Sequence, residues 1–416
     1  MDSVQKMVNP GLAPHTPRMA LGAHAIPWML AMTVTLAPSD AWAQTRFLPR
    51  ADQVVLPVSA HAVGDVTREL KAAEQNWRQN PLNLDVAARY ARQTFLLGVT
   101  EGDLRWFGTA KAALLPWWNK SDLNADGYFM RGLVKQGFHD FEGGLADINA
   151  AIALDGNRAE FWSWRFAIHL LWADMAAARA DCAELGQRAG ALEAQACQAI
   201  LAYRTGQAAV AVQALKTLVV APDFQGNLAQ DWLRFHLGEA QRTAGQYAAA
   251  KVTWSEHLAK RPQAHAIRLS LVELSNAIGE HAHAKKLAAT PAPTDALLVQ
   301  QLLASQALGD ADAPRLAQQV EERMAAQALR KDPLIERPKM VYLIHFGKDV
   351  PAGLALAQDN WRAQKEPPDA LLLVEAALKL NRPQEAVPVL DWMAKTGYTD
   401  PALAALAQQI KSRLGR

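Results

Sequence analysis

The chain has 416 residues, of which 50% are hydrophobic and 20% are charged, and its formal net charge is +2. This near-neutral balance gives no electrostatic basis for binding nucleic acid or an anionic membrane surface. No run of basic residues is interleaved with aromatic residues, as a nucleic-acid site would require. The period-2 alternation typical of strands is scarce, so the pattern favours an all-α protein.

The amino-terminal region has the order of a secretory signal peptide. Arg18 precedes an apolar run over 19–36, and Ala41-Trp-Ala43 offers a cleavage site before Gln44. We therefore predict a signal peptide at 1–43 and an exported mature chain, in the periplasm or secreted. An uncleaved anchor helix is the alternative, because a run of about 18 residues is near the minimum for a membrane span.

Two further features concern the start of the mature chain. The n-region is long, so Met7 and Met19 are alternative starts. No later segment is long and apolar enough to span a membrane, and the mature chain is expected to be soluble outside the cytoplasmic membrane. We predict an extended linker at 44–62 and an amino-terminal capping helix at 63–81, which ends where Pro81 cannot continue it.

Similar residues recur along the chain at an interval of about 34 residues. The recurring pairs are Tyr128 and Trp162, Gly144 and Ala178, Asp147 and Asp181, and Gly245 and Gly279. This interval is typical of helix–turn–helix repeats, which bury their apolar faces only by stacking. The sequence therefore predicts about nine stacked repeats over 82–400 and a capping helix at 401–416.

The repeat at 125–158 is the clearest early unit. Tyr128 occupies a large aromatic position, and Gly132 a small position where two helices cross closely. Gly144, Ile148 and Ala151 follow one helical face. An irregular first repeat precedes it, with predicted helices over 83–97 and 102–117. The later repeats are placed at 159–192, 193–230, 231–264, 265–298, 299–332 (degenerate), 333–366 and 367–400.

At Tyr128, Gly132, Gly144 and Gly245-Gln-Tyr247 the pattern resembles tetratricopeptide repeat proteins, over most of 63–414. The stretches 101–118 and 359–369, the latter followed by 371–378, are also similar to blocks in exported bacterial repeat proteins without an assigned activity. The resemblance implies a right-handed α-solenoid that binds an unknown protein or peptide partner through its concave face.

In the tetratricopeptide family, first-helix positions one turn apart line that concave face. The corresponding residues here are Phe129, Gln136, Ser163, Phe235, Glu239, Arg242, Glu273 and Asn276. The resemblance makes these eight the possible partner-binding groove. The alternative is that they lie on ordinary solvated helix faces.

Two pairs of aromatic residues bracket one short predicted helix. They are Trp106-Phe107 and Trp117-Trp118. One hypothesis is an aromatic platform for a peptide or glycan, since such rings combine apolar area with a polar edge. The other is packing against the amino-terminal capping helix.

Cys182 and Cys197 are the only two cysteines of the chain. An exported protein meets oxidising conditions, and the two residues fall on helices predicted to be antiparallel neighbours. We predict a disulfide between them, since neighbouring helices can bring two Cα atoms within the ~5.5–6 Å that a bridge needs. Two reduced, buried thiols are the alternative.

Motifs that carry catalysis or bind metals are weak in this sequence. Residues 122–127 match the first half of a calcium loop, but Leu133 at the twelfth position cannot supply the carboxylate, so we predict a polar capping turn. His281 and His283 lie in a predicted turn without further ligands. No nucleophile elbow, phosphate loop or dinucleotide fingerprint occurs. We predict no catalytic residue, metal or cofactor.

The sequence favours an exported, non-enzymatic scaffold or adaptor. One alternative is a module of an envelope polysaccharide or polymer assembly machine. A less favoured one is an enzyme with its site in 83–124. An enzyme requires titratable groups that converge in a pocket, whereas a scaffold presents an open groove without them.

Overall fold

The computed structural model describes residues 65–330 and 337–415. Within these ranges the chain forms α-helices and short 3-10 helices, with no strand. The predicted signal peptide at 1–43 and linker at 44–62 lie outside the described residues. None of the described helices combines the length and hydrophobicity that crossing a bilayer requires.

The described part contains twenty α-helices and three 3-10 helices. The α-helices are α1 (Asp65–Gln79), α2 (Leu84–Glu101), α3 (Arg105–Leu114), α4 (Ala125–Gly137), α5 (Phe141–Leu154), α6 (Ala159–Leu171), α7 (Met175–Arg188), α8 (Ala191–Arg204), α9 (Ala208–Leu218), α10 (Asn227–Thr243), α11 (Tyr247–Lys260), α12 (His265–Ala277), α13 (His281–Ala288), α14 (Asp295–Leu308), α15 (Ala313–Arg330), α16 (Arg337–His345), α17 (Val350–Ala363), α18 (Pro367–Lys379), α19 (Val387–Thr396) and α20 (Pro401–Arg413). The 3-10 helices are Leu115–Trp117, Pro222–Phe224 and Pro383–Ala386.

From α2 to α19 the helices of the described ranges form nine helix–turn–helix pairs, and the two members of each pair contact each other. α4 begins at Ala125 and α6 at Ala159, one period of about 34 residues apart. α1 packs on α2, and α20 packs on α18. The predicted all-α array of stacked repeats is therefore present.

Two boundaries differ from the sequence prediction. α2 continues to Glu101, beyond the predicted end at 97, and ends at Gly102, whose φ is 65°. The left-handed conformation of Gly102 stops the helix, so residues 98–101, which lie between the two predicted helices, are helical. The repeat expected at 299–332 begins earlier, because Thr294 caps α14 by accepting a hydrogen bond from the Leu297 amide.

Each turn between the two helices of a pair, from α4 to α19, contains one residue with positive φ. These residues are His139, Ala173, Gly206, Gly245, Gly279, Gly309, Gly347 and Asn381. A left-handed residue reverses the chain tightly, and glycine adopts it without a Cβ clash. This requirement explains why Gly245 and Gly279 stand one repeat apart in the sequence.

Buried ion pairs recur with the same period. Asp147 accepts hydrogen bonds from both Nε and Nη2 of Arg131, at 2.7 and 2.6 Å, and Lys135 Nζ lies 2.9 Å from it. One repeat later, Asp181 is bound by Arg165 and by His169 Nδ1. Each of these two aspartates is therefore bound by two side chains of the first helix of its own pair. Loss of one partner would leave a buried charge uncompensated.

Cys182 on α7 and Cys197 on α8 are joined by a disulfide, and their Cα atoms are 5.6 Å apart. Both residues are buried. The bond links the second helix of one pair to the first helix of the next. It therefore fixes a boundary between two repeats, which otherwise depends on packing alone.

The crossing of α4 and α5 depends on two glycines. A Cβ atom on Gly132 would lie 2.9 Å from the Gly144 carbonyl oxygen and 3.0 Å from Ile148 Cγ1. Real Cβ atoms do not approach a rigid carbonyl oxygen so closely. The two helices therefore approach each other at a distance that only glycine at 132 permits.

We predict that Gly132→Ala destabilises the protein by about 1–3 kcal/mol, because the added methyl group overpacks this crossing. Gly108→Ala is the matched control, since Gly108 lies in α3 and a Cβ there meets nothing within 4 Å. Alanine at 108 should raise stability by up to about 1 kcal/mol through helix propensity. Urea unfolding followed by circular dichroism measures both changes. Equal stability of Gly132→Ala and the wild type would refute the close crossing.

Candidate functional site

The inner side of the array is formed by the first helices of the pairs. α8 contacts α10, α10 contacts α12, and α12 contacts α14, whereas no comparable contact joins successive second helices of the described ranges. Helices on the inner side of a curved array approach each other most closely. The inner side therefore corresponds to the concave face expected from the resemblance.

Two of the eight predicted groove residues are buried within this layer. Phe129 packs against Phe161 on α6, with ring centroids 4.5 Å apart. Asn276 donates to the Gln300 carbonyl oxygen at 3.0 Å and to its side-chain oxygen at 2.9 Å. Contrary to the expectation, both residues hold adjacent first helices together and do not form accessible surface.

The other six groove residues are half-buried and lie in two environments. Gln136, Ser163 and Phe235 lie among the first helices. Glu239 and Arg242 form an ion pair on α10, with Arg242 Nη2 2.8 Å from Glu239 Oε2. Glu273 lies on α12, in the electrostatic field of that pair.

The four aromatic residues proposed as a platform do not form one surface. Phe107 and Trp117 are buried in the core, where Phe107 stacks on Phe95 with ring centroids 5.0 Å apart. Trp106 is half-buried and donates to the Glu101 carboxylate. Trp118 is half-buried, with Lys111 Nζ 5.0 Å from its ring centroid. Packing explains this group better than a ligand platform.

Later helices fold back onto the turn ends of earlier pairs, at the end of α6 and the end of α8. The connection between α17 and α18 is extended at Gln364 and Glu366. Between them, the Lys365 amide donates to the Leu171 carbonyl oxygen at 2.6 Å. Arg204 Nη2 on α8 donates to the Lys365 carbonyl oxygen at 3.0 Å. Both main-chain groups of Lys365 are thus bound by residues far away in sequence.

Charged groups converge where this connection meets the inner side. Arg337 donates through Nε to Asp369 and through Nη2 to Glu366, both at 2.8 Å. Gln364 Nε2 donates to the second Asp369 oxygen at 2.9 Å. The Asp369 carboxylate is buried, and each of its two oxygens accepts a hydrogen bond. Sequence reasoning missed this cluster because its members lie on three separate elements.

Glu273 is the least compensated group of this region. Burial raises its pKa to about 7, against the attraction of Arg337 and Arg242 and with the repulsion of Glu239 and Asp369. Near neutral pH a substantial fraction of this carboxyl group is therefore protonated. Its neighbours come from α10, α16 and α18, so its charge is felt across the boundary between the inner side and the C-terminal helices.

An aromatic cluster lies on the inner side between α8 and α10. The Tyr203 hydroxyl is 2.8 Å from His236 Nδ1, and Trp232 packs edge-on against His236 with ring centroids 4.7 Å apart. Burial lowers the pKa of His236 to about 3, with a contribution from Arg204. The imidazole is therefore neutral at pH 7, and its Nδ1 lies within hydrogen-bond distance of the Tyr203 hydroxyl.

The accessible edge of this cluster is apolar. Trp232 is 36% exposed and Leu228 is 46% exposed. Leu228, Trp232, Phe235 and Glu239 follow one face of α10, at spacings of four, three and four residues. Sequence reasoning named only the last two. The same spacing rule could have added the first two, since it places them on the same face.

The weak metal motifs have structural roles. Asn124 caps α4, because its side chain accepts a hydrogen bond from the Gly127 amide at 2.8 Å, and Asp126 pairs with Arg158. His281 begins α13, with Nδ1 3.3 Å from the Asn276 side-chain oxygen. Within 65–330 and 337–415, no group of three or more His, Cys, Asp or Glu side chains is placed to hold a metal ion.

We predict that Glu273→Gln stabilises the protein above pH 7 but not at pH 4.5. The raised pKa of Glu273 means that its protonated form contributes stability below about pH 4.5, and this contribution is lost as the pH rises through about 7. Glutamine cannot ionise, so the difference should reach about 1–2 kcal/mol at pH 8 once solvent screening is considered.

Melting temperatures from pH 4.5 to 8 measure this difference. Glu256→Gln, on an exposed position of α11, controls for the loss of one negative charge. Parallel curves for Glu273→Gln and the wild type over the whole pH range would contradict the burial of this carboxyl group.

No protein-family model matches the chain, and no curated protein matches it either. Among solved structures, it is similar to a Rap protein complexed with competence and sporulation factor, with 12% identity and a TM-score of 0.45 over 84% of this chain and 97% of that one. It is also similar to the APC/C hetero-tetramer Cut9–Hcn1, with 14% identity and a TM-score of 0.31 over 85% of each chain. For yeast Tom70 the identity is 12% and the TM-score 0.27, over 84% of this chain and 59% of that one.

At these identities the similarity concerns the fold alone. The chain's own helix pairs, its period of about 34 residues and its left-handed turn residues are the basis for describing it. On these features the chain resembles tetratricopeptide repeat proteins.

Proposed function

We propose that the mature chain is an exported, non-enzymatic scaffold or adaptor that binds a protein or peptide partner with the inner side of its helix pairs. The observation that carries this proposal is the binding of the chain's own main chain at Lys365. The Leu171 carbonyl group and the Arg204 side chain bind its amide and carbonyl groups without involving its side chain. Main-chain hydrogen bonds of this kind are how proteins hold an extended peptide.

The accessible stripe on α10 supports the same proposal. Leu228 and Trp232 expose apolar area on a face of α10 that continues to Glu239, which pairs with Arg242. Tryptophan and arginine are enriched among the residues that dominate binding energies. A partner segment with an apolar side chain at one end and a charged side chain at the other would complement this stripe.

The alternative of an enzyme in 83–124 has less support. In that region Asp103 and Arg105 pair with each other near the surface, and the aromatic side chains pack in the core or at its edge. The groups that do converge, around Arg337, are paired with one another. This arrangement favours a structural or binding role over acid–base catalysis.

Export is supported by the amino-terminal pattern and by the bond between Cys182 and Cys197. We expect protein purified from its native source to begin near Gln44 and to contain no free thiol when unfolded without reductant. Amino-terminal sequencing and thiol titration measure these two properties. A retained start at Met1, Met7 or Met19 would favour the anchored form, and two thiols per chain would refute the oxidised state.

The partner is tested by affinity capture from the native envelope fraction, with bound proteins identified by mass. We expect Trp232→Ala to reduce the captured partner at least about tenfold, since an exposed tryptophan at the centre of a binding site often contributes more than 1.4 kcal/mol. Val252→Ala is the control, because Val252 is 55% exposed on the second helix α11.

Equal capture by Trp232→Ala and Val252→Ala would place the binding surface elsewhere. Capture of enzymes that synthesise or modify polysaccharide would assign the chain to an envelope polymer assembly machine, which is the second candidate function. That outcome keeps the scaffold role and specifies its setting.

A further inference from the structure

We infer that the C-terminal helices α16–α20 are a built-in occupant of the edge formed by the turns of α6/α7, α8/α9 and α10/α11, and that an extended segment of a partner reaches the groups that bind Lys365 only when this contact opens. This inference rests on the proposed function for the identity of the competing ligand. The contact itself is a property of the chain and can be measured without a partner.

The first part of this contact resembles a bound peptide. Gln364 and Glu366 have extended backbone angles, with ψ of 157° and 146°. Between them, Lys365 is bound through its amide and carbonyl groups, while its side chain turns back to the carbonyl oxygens of Trp361 and Arg362. The inner side therefore recognises an extended backbone here and not a particular side chain. Another extended segment could make the same two hydrogen bonds.

The second part is a contact between turns. A Cβ atom on Gly206 would lie 2.4 Å from the Gly397 carbonyl oxygen, and a Cβ atom on Gly397 would lie 3.3 Å from the Thr205 carbonyl oxygen. The turn between α8 and α9 thus lies backbone against backbone on the turn between α19 and α20. One repeat further, the Cβ position of Gly245 lies 3.1 Å from Pro401 Cγ.

The third part is apolar and small. Ala173, in the turn between α6 and α7, is buried in the same cluster as C-terminal residues such as Trp361 and Tyr398, and Met175 packs beside it. Together the three parts follow the turns of three successive pairs, α6/α7, α8/α9 and α10/α11. The C-terminal helices therefore cover the edge past which a ligand would enter.

The contact also leaves polar groups poorly satisfied. His139 Nδ1 and Arg204 Nε are buried without a hydrogen-bond partner among the described residues. His139 lies in the field of Arg337, Glu366 and Asp369, and burial lowers its pKa. A buried polar atom without a partner has lost its hydrogen bonds to water, which opposes closure. The contact forms two hydrogen bonds to the main chain of Lys365 but leaves two buried polar atoms without partners in the described part of the chain. A ligand that makes the same two hydrogen bonds can therefore replace it.

The test uses two glycines with the same positive φ. Gly206 and Gly279 both have a φ of 80°, so alanine meets the same left-handed φ at either position. A Cβ at Gly279 meets nothing within 4 Å, whereas a Cβ at Gly206 collides with Gly397. The difference between Gly206→Ala and Gly279→Ala therefore isolates the effect on the turn contact.

Hydrogen exchange of the full chain is the first measurement. We expect the amides of 364–366 to exchange at least about tenfold faster in Gly206→Ala than in Gly279→Ala, with amides in α4 and α5 unchanged. Arg204→Gln is a second variant, which removes the bond to Lys365 without backbone strain and should have the same effect. Equal exchange of 364–366 in Gly206→Ala, Arg204→Gln and Gly279→Ala would overturn the inference.

Binding of a labelled synthetic peptide with the sequence of residues 361–370 is the second measurement. We expect it to bind Gly206→Ala about tenfold more tightly than Gly279→Ala, and the Lys365→Pro form of the peptide, which has no amide hydrogen to donate at this position, to bind neither. Equal affinity for both variants would overturn the role of the C-terminal helices as an occupant. Failure of the proposed function would give a different result. Trp232→Ala would then capture as much partner as the wild type, while the residues 364–366 would still exchange faster in Gly206→Ala than in Gly279→Ala.

Discussion

One left-handed residue in each turn sets the geometry of this protein. It makes each first helix reverse sharply into its second helix, so that every pair presents a compact backbone corner. At Gly206 one such corner approaches Gly397, in the turn between α19 and α20, closely enough that a side chain on Gly206 would collide with a carbonyl oxygen. Glycine at position 206 therefore permits both the left-handed turn and the close contact with the distant turn at Gly397.

The sequence predicted the local part of this structure well. The spacing of Gly245 and Gly279 follows from the turn conformation, and that of Gly144 and Ala178 from the crossing of paired helices. The spacing of Asp147 and Asp181 was visible, but their partners Arg131 and Arg165 were not recognised. An ion pair between the two helices of a repeat makes both the acidic and the basic residue recur at the repeat interval. Only the recurrence of the acidic residue was used in the sequence prediction.

The long-range part could not be predicted in the same way. A repeat period reports contacts between neighbouring units, and curvature accumulates from small rotations that no single repeat encodes. The bond between Lys365 and Arg204 crosses a separation of 161 residues, and nothing in either local sequence specifies it. For the same reason, Phe129 and Asn276 were expected on an open face and are buried between first helices.

The position of the disulfide in the array has a further structural consequence. Cys182 and Cys197 join α7 to α8, and the two groups that hold Lys365 lie at the ends of α6 and α8, on the two repeats that the disulfide connects. The covalent bond therefore connects the two repeats that carry the Leu171 carbonyl group and the Arg204 guanidinium group. Under oxidising conditions the bond limits how far these two repeats can separate, and it therefore opposes loss of the site at which Lys365 is bound.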